Sequence, residues 1–368
     1  MKKIGFIVNP IAGMGGSVGL KGTDGEIIKE AIKLGATPVV PKRVEVFLDN
    51  LELKEKIYLF VAPGKMGEEL IEGKGFNYEV IGRVHQHTTA EDTKRITKLM
   101  LEKEIELLVF CGGDGTARDI FDVIELKIPV VAIPSGVKMF SSVFALNPKA
   151  AAQIVNKFIE DLLNNQEKEI LDINEDAFRE NRLDSKLYGY LLVPEVQNLT
   201  QGSKDSSKVG RSIEENKKEI AHQIIETLEK DTLYLLGPGT TVKSITDDLT
   251  LRKTLLGVDA ISNKSLVGQD LNERSIIGLL NKYQNTKIII SPIGGQGFVF
   301  GRGNNQFTPK ILKKVGKKNI IIIGTEEKLK NLKCLRVDTG DNETDKYLAG
   351  LTKVIIGYKE ELVCKIEC

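Results

Sequence analysis

Asp114 stands inside Gly112-Gly113-Asp114-Gly115-Thr116, directly after an apolar run over residues 107–111. Glycines at such a junction let the backbone approach a ligand closely and adopt positive φ angles denied to other residues. The N–H groups left there, with the start of a following helix, suit phosphate oxygens. A carboxylate beside phosphates needs its own reason. Accepting a proton from an attacking hydroxyl is one, and holding Mg²⁺ is the other. A plain strand-to-helix turn capped by Asp114 and Thr116 would use the same residue types. The stretch 117–125, however, carries Ile120, Phe121 and Ile124 on one helical face. That pattern puts the loop at the carboxyl end of a strand, where doubly wound sheets bind ligands.

Other polar groups gather at comparable junctions. The run 4–8 leads into Asn9-Pro10-Ile11-Ala12-Gly13-Met14-Gly15-Gly16, and the glycine-rich stretch continues through Lys21, Gly22, Thr23 and Asp24. Lys21 could neutralise phosphate and Asp24 could bind a hydroxyl or metal, although loop Lys and Asp residues are commonly just solvated. Thr116 could hydrogen-bond a phosphate. Arg118 could grip one bidentately or pair with Asp122 one turn along its helix. Ser135-Gly136-Val137-Lys138 ends a further strand and offers Lys138 as a phosphate clamp.

In the second half, Gly237-Pro238-Gly239-Thr240-Thr241 follows a strand and opens a helix, an arrangement that binds anions. Gly294, Gly295, Gln296, Arg302 and Asn304 form a glycine-dense polar stretch that reads as a ligand wall rather than a spacer. His85 and His87 would share a strand face, but no third ligand stands at metal spacing. Neither Gly-x-Ser-x-Gly nor a Walker A lysine motif occurs.

These residues need a scaffold of alternating elements. Strands are expected at 4–8, 58–62, 107–111 and 129–133, with helices at 26–33, from Thr89-Ala90-Glu91-Asp92 to about 103, and over 147–165. From 233 onward strand and helix alternate again, with strands at 233–236, 255–260, 287–290 and 319–323 and a helix from 326. The last strand, 353–358 with 362–366, could return to an edge of either sheet. Alternation of this kind implies an α/β fold with a parallel sheet covered on both faces. The expectation is two domains with a ligand cleft between them. Residues 1–165 form an N-terminal doubly wound nucleotide-binding domain, and residues 166–368 a second α/β domain.

Length agrees, because single cores stop growing near ~250–300 residues and this chain has 368. A hydrophobic content of 41% and a charged content of 28% suit a soluble globular protein. Lys and Arg number 52 against 51 Asp and Glu, so the net charge of +1 gives no general attraction to nucleic acid or an anionic membrane. The cysteines, Cys111, Cys334, Cys364 and Cys368, lack paired metal spacing and read as reduced. The N-terminal apolar run is too short for a signal peptide, and no stretch reaches transmembrane length, so a cytoplasmic location is expected. Homo-oligomerisation is left open.

Gly112-Gly113-Asp114-Gly115-Thr116 resembles the signature loop of the superfamily containing ATP-NAD kinases, diacylglycerol kinases and 6-phosphofructokinases. With the Asn9–Gly16 stretch, Gly22-Thr23-Asp24-Gly25, Pro134–Lys138 and residues 291–303, the chain is similar to the ATP-NAD kinase-like, AcoX-related branch. The resemblance implies that Asp114 is the general base activating the acceptor hydroxyl. It implies that Gly112, Gly113, Gly115 and Thr116 contact nucleotide, and that Gly237, Gly239, Thr240 and Thr241 resemble a threonine-glycine loop around a dinucleotide. Phosphoryl transfer from ATP with Mg²⁺, or from polyphosphate, to the 2′-hydroxyl of NAD is the implied reaction, with the metal on Asp114 or on the phosphates alone. Two features depart from NAD kinases proper. Their dinucleotide-binding Asn-Glu pair has only Asn174-Glu175 as a counterpart, in a different local context, and their second domain is β-rich where this half reads as alternating. A kinase of another polyol, sugar or lipid hydroxyl, or a non-catalytic sensor of dinucleotide or sugar phosphate, are the alternatives.

Overall fold

The computed structural model describes residues 1–16, 18, 26–85, 88–136, 139–173, 185–196, 212–293, 297–330 and 332–367. Lys21, Thr23, Asp24, His87, Lys138, Asn174, Glu175, Gly294, Gly295, Gln296 and Cys368 lie outside the described residues. The chain divides into two compact units. In chain order the first strands are β1 (Lys2–Val8), β2 (Ile57–Val61), β3 (Asn77–Val80), β4 (Leu107–Gly112), β5 (Val130–Pro134), β6 (Asn165–Ile173) and β7 (Ser185–Pro194). The helices of this stretch are α1 (Glu26–Lys33), α2 (Val40–Asp49), α3 (Glu68–Ile71), α4 (Ala90–Glu102), α5 (Asp114–Ile124) and α6 (Pro148–Ile159). All belong to the first unit except α1, which groups with the second.

The first unit is built on a five-stranded sheet of order β3-β2-β1-β4-β5. Every pairing in it is parallel, with Val8 opposite Cys111 and Gly112 opposite Pro134. All six residues of β4 and all five of β5 are buried, as strands covered on both faces require. Helix α4 starts where Thr89 and Asp92 complete a reciprocal capping box. Helix α2, which the sequence reading passed over, buries Val40, Val44, Phe47 and Leu48 along one stripe and carries a proline in its first turn. Phe47 stacks on Phe6 at 6.3 Å between centroids.

Helix α6 is shorter than the expected 147–165. It is capped by Asn147, stops at Ile159, and turns at Asp161 with φ of 56°. Residue 165 instead begins the antiparallel ribbon β6–β7, in which Asn165 faces Pro194. This ribbon groups with the first unit, which therefore extends past residue 165.

The second unit contains α7 (Ile213–Glu226), β8 (Thr232–Leu236), α8 (Thr240–Asp248), β9 (Asp259–Ser262), β10 (Ser265–Gly268), α9 (Glu273–Leu280) and β11 (Asn285–Ile290). It continues with β12 (Phe298–Phe300), α10 (Pro309–Val315), β13 (Ile320–Ile323), α11 (Glu326–Lys330), β14 (Leu335–Val337), α12 (Asn342–Leu348), β15 (Gly350–Gly357) and β16 (Glu360–Glu367). Strands β8 to β16 make one nine-stranded sheet. Its centre, β8-β11-β13-β15, is parallel and built by strand–helix alternation. Antiparallel β9 and β16 extend it on either side, so the unit is both alternating and rich in strands. The last strand pairs with β15 and β14 in this sheet. The expected strand 255–260 begins only at Asp259, because the residues before it form a loop that brings Leu255 O to Gly239 N. Among the described residues no helix is long and apolar enough to cross a membrane.

Candidate active site

Three strand exits of the first unit converge backbone to backbone. Asn9 leaves β1 by donating its N–H to Cys111 O at 2.9 Å. Its side-chain amide donates to Thr116 Oγ1 at 3.1 Å and accepts from Ile11 N at 3.2 Å, tying the β1 exit to the first turn of α5. Gly13, at φ 77°, passes so close to the β5 exit that a Cβ there would lie 1.9 Å from Ser135 O. Gly113 and Gly136 face each other the same way, with Gly136 Cα 3.2 Å from where a Gly113 Cβ would be. Glycine is required at these approaches because the partner atoms are main chain and cannot rotate aside. Ser135 N donates to Gly112 O at 3.0 Å, closing the corner.

Asp114 is the first residue of α5, with Gly113 extended before it. Its carboxylate accepts from Phe140 N at 2.7 Å through Oδ2 and from Ser141 N at 3.1 Å through Oδ1. These donors belong to the segment after β5, 26 and 27 residues away in sequence, and were not anticipated. Among the described residues Asp114 has no ion-pair partner within contact distance; Arg118 acts on it only through its field. Burial holds the carboxyl above its ordinary range, outweighing the donors beside it and the Arg118 charge. Asp114 nevertheless stays partly exposed, and a carboxylate with two main-chain donors has lone-pair capacity to spare.

The remaining sequence candidates sort clearly. Thr116 is buried and held by Asn9. Gly115 is exposed on the outer side of the turn, and Gly15 and Gly16 are buried turn residues. Arg118 does not pair with Asp122 as its main partner. Its guanidinium lies 5.9 Å from the Tyr188 ring centroid, while Asp122 is taken by Lys94 at 2.7 Å and by the Tyr188 hydroxyl at 2.8 Å. Burial pushes the Cys111 thiol, under the loop, up to about 12, so it is inert. His85 lies outside any strand.

In the second unit the strand-turn-helix expected at residues 233–248 is present. Gly237 N donates to Ile289 O and Gly239 N to Leu255 O, each at 2.8 Å, and Gly239 at φ 110° delivers the chain into α8. Thr240 is exposed there and Thr241 buried. Beneath this turn sits an ion pair that the sequence reading missed. Lys253 Nζ lies 3.5 Å from Asp259 Oδ2, both side chains fully buried. Asp259 also accepts from Thr254 N and Asp270 N at 2.7 Å and from the Thr254 hydroxyl at 3.0 Å.

Asn304 is fully buried, and its amide is engaged by Gly301 N at 3.1 Å and Val299 O at 2.7 Å, which holds the turn together. Arg302 is 5% exposed, packed over Phe298 at 4.4 Å and 3.9 Å from Asp338 Oδ2. Among the described residues no group of three or more His, Cys, Asp or Glu side chains could hold a metal ion.

Residues 4–163 match the ATP-NAD kinase N-terminal domain, and residues 229–366 match the ATP-NAD kinase C-terminal domain. Together the two cover most of the chain, which belongs to the ATP-NAD kinase family and is a phosphotransferase acting on an alcohol group. No curated protein and no solved structure matches the chain.

Proposed function

We propose that the protein moves the γ-phosphoryl group of Mg²⁺-bound ATP onto the 2′-hydroxyl of NAD, with Asp114 as the general base. The carrying observation is the Asp114 carboxylate, fixed at the carboxyl end of β4 among glycines, raised in proton affinity by burial, and without an ion-pair partner among the described residues. A carboxylate so held is a better proton acceptor than one locked to a lysine or arginine. Mg²⁺ would be held by the nucleotide's phosphates, with or without Asp114, and would supply neutralisation of charge on the phosphoryl oxygens. Backbone N–H groups at the start of α5 and at Gly112–Gly113 are suited to offset charge that spreads over the phosphoryl oxygens in the transition state.

Incubation with ATP, Mg²⁺ and NAD should yield NADP and ADP in equal amounts. Asp114→Asn should fold normally and turn over ~10²–10⁴-fold more slowly, the usual contribution of a general base. NAD binding without ADP release would overturn the kinase reading in favour of a sensor. ADP release only with sugars, polyols or lipid hydroxyls would replace NAD as acceptor. Supply of polyphosphate in place of ATP identifies the donor.

A further inference from the structure

Arg118 stands one helical turn after Asp114 on α5. Side chains of a helix lean toward its N-terminus. The Arg118 guanidinium does so and lies over the turn, with Nη2 3.7 Å from where a Cβ on Gly115 would be. Gly115 is the exposed residue next to Asp114. The ribbon reaches the same guanidinium from β7, where the Tyr188 ring centroid is 5.9 Å from the guanidinium carbon. Tyr188 is itself fixed in three ways. Its ring meets Phe121 edge-on at 5.7 Å, its hydroxyl donates to Asp122 at 2.8 Å, and Gly189 lets the strand pass where any Cβ would collide with the Phe121 ring. Lys94 of α4 holds Asp122 at 2.7 Å and lies 3.9 Å from Asp119, so a lysine answers the two acids that follow Arg118 on α5.

We infer that Arg118 is a substrate-binding residue of this corner, a ring-backed guanidinium that takes phosphoryl oxygens, and that Tyr188 is the positioning residue that holds it there. The inference rests on the reading of the corner as a phosphoryl-transfer site. Support from a ring, unlike support from a carboxylate, leaves the positive charge uncancelled. The guanidinium is a planar fork that matches two oxygens of one phosphate. Gly115 has no side chain, so an anion approaching the first turn of α5 meets main-chain N–H groups and this cation together. Bound substrate also sets a phosphate beside the Asp114 carboxylate, and a cation one turn away offsets the repulsion between them. The oxygens belong either to the donor nucleotide or to the pyrophosphate of a dinucleotide acceptor, and the test separates the two.

The test measures binding by calorimetry, apart from turnover, with inorganic pyrophosphate, Mg²⁺-ATP and NAD as separate probes. Arg118→Gln should weaken pyrophosphate about tenfold or more, as loss of a charge-assisted bidentate contact implies. Arg118→Lys should recover only part of that, because it keeps the charge and loses the fork. Whichever of ATP and NAD weakens alongside names the source of the oxygens. Tyr188→Leu should weaken the same probes several-fold and raise the KM of that substrate with kcat within about twofold, the mark of lost binding rather than lost chemistry. Tyr188→Phe keeps the ring and should stay close to wild type. Lys98→Gln removes an exposed charge on α4 and should change none of the three affinities. Arg118 and Tyr188 are both partly exposed, so the unfolding midpoints should stay near wild type. Unchanged affinities in Arg118→Gln, or no binding of any probe to the wild type, would overturn the inference. Equal losses in Tyr188→Phe and Tyr188→Leu would overturn the part given to the ring. Weakened pyrophosphate in Arg118→Gln with full turnover in Asp114→Asn would instead sink Asp114 as the base and leave the anion site standing.

Discussion

Two aspartates, Asp114 and Asp259, lie next to glycine turns at the exits of β4 and β8, one in each unit, and they are treated in opposite ways. Asp259 is fully buried, faces the Lys253 ammonium, and takes two backbone N–H groups and a hydroxyl as well. Asp114 has a similar number of donors yet no cation in contact among the described residues, and part of it is left exposed. Buried carboxylates are tolerated when paired and saturated. A carboxylate that is desolvated without such a partner holds its proton more tightly, which suits proton transfer and does nothing for stability. The same side chain in similar settings is therefore a strut in one unit and, under the proposed function, a proton acceptor in the other.

The largest effect expected from this contrast is a crossed outcome for the two asparagine variants. Asp114→Asn should leave the unfolding midpoint near wild type while removing ~10²–10⁴ of the turnover. Asp259→Asn strands a buried ammonium and should cost about 3–5 kcal/mol of stability in denaturant unfolding, whereas the fraction that stays folded keeps its kcat. If Asp114→Asn destabilises like Asp259→Asn and turns over normally when folded, both are struts and the distinction falls.

The contrast was half legible in the sequence. Asp114 announced itself because its whole corner is local: an apolar strand, glycines whose approach distances forbid side chains, and a helix with one apolar face. The donors that hold it were illegible, because Phe140 and Ser141 contribute main-chain N–H groups, and any residue type but proline supplies one. Asp259 was missed since Lys253 and Asp259 are unremarkable charges six positions apart, read as part of a strand and its approach. Their pairing depends on a loop that folds so that Leu255 O meets Gly239 N. The ribbon β6–β7 went unread for a different reason. Leu191 and Val193 are buried, but Leu187, Tyr188 and Tyr190 are exposed, so apolar residues occupy both faces and blur the two-residue period. At Arg302 and Asn304 the residue types alone did not decide: a glycine-dense polar stretch is what a ligand loop looks like, and also what a tight buried turn needs.

A smaller effect sharpens the strut. Burial pushes Lys253 down from 10.5 to about 8. The unfolded chain then binds the Lys253 proton more tightly than the native state does, and unfolding takes up a proton between those two values. Stability of the wild type relative to Lys253→Met should therefore rise from pH 8 to 10.5, by up to ~1.4 kcal/mol per pH unit, and be level below about 8. Urea unfolding of both proteins at several pH values measures it. A difference that is flat across the window would mean the ammonium is solvated and the pair is no strut.

The smallest effect concerns the reagent corner, at Asn9. Its amide joins the β1 exit to Thr116 across 3.1 Å and also caps Ile11 N. Neither contact is deeply buried, so Asn9→Ala should cost only about 1 kcal/mol of stability, the ordinary net worth of a hydrogen bond. Its consequence for substrate should be larger than its consequence for folding, because Thr116 sits two residues from Asp114 in the first turn of α5. A loosened β1 exit no longer fixes the backbone that would face the phosphates. Nucleotide KM should then rise several-fold while the Asp114 proton transfer, held from the β5 side by Phe140 and Ser141, leaves kcat nearly intact. An Asn9→Ala variant that lost kcat with unchanged KM would place Asn9 with the proton-transfer machinery and break the division of labour between the β1 and β5 exits.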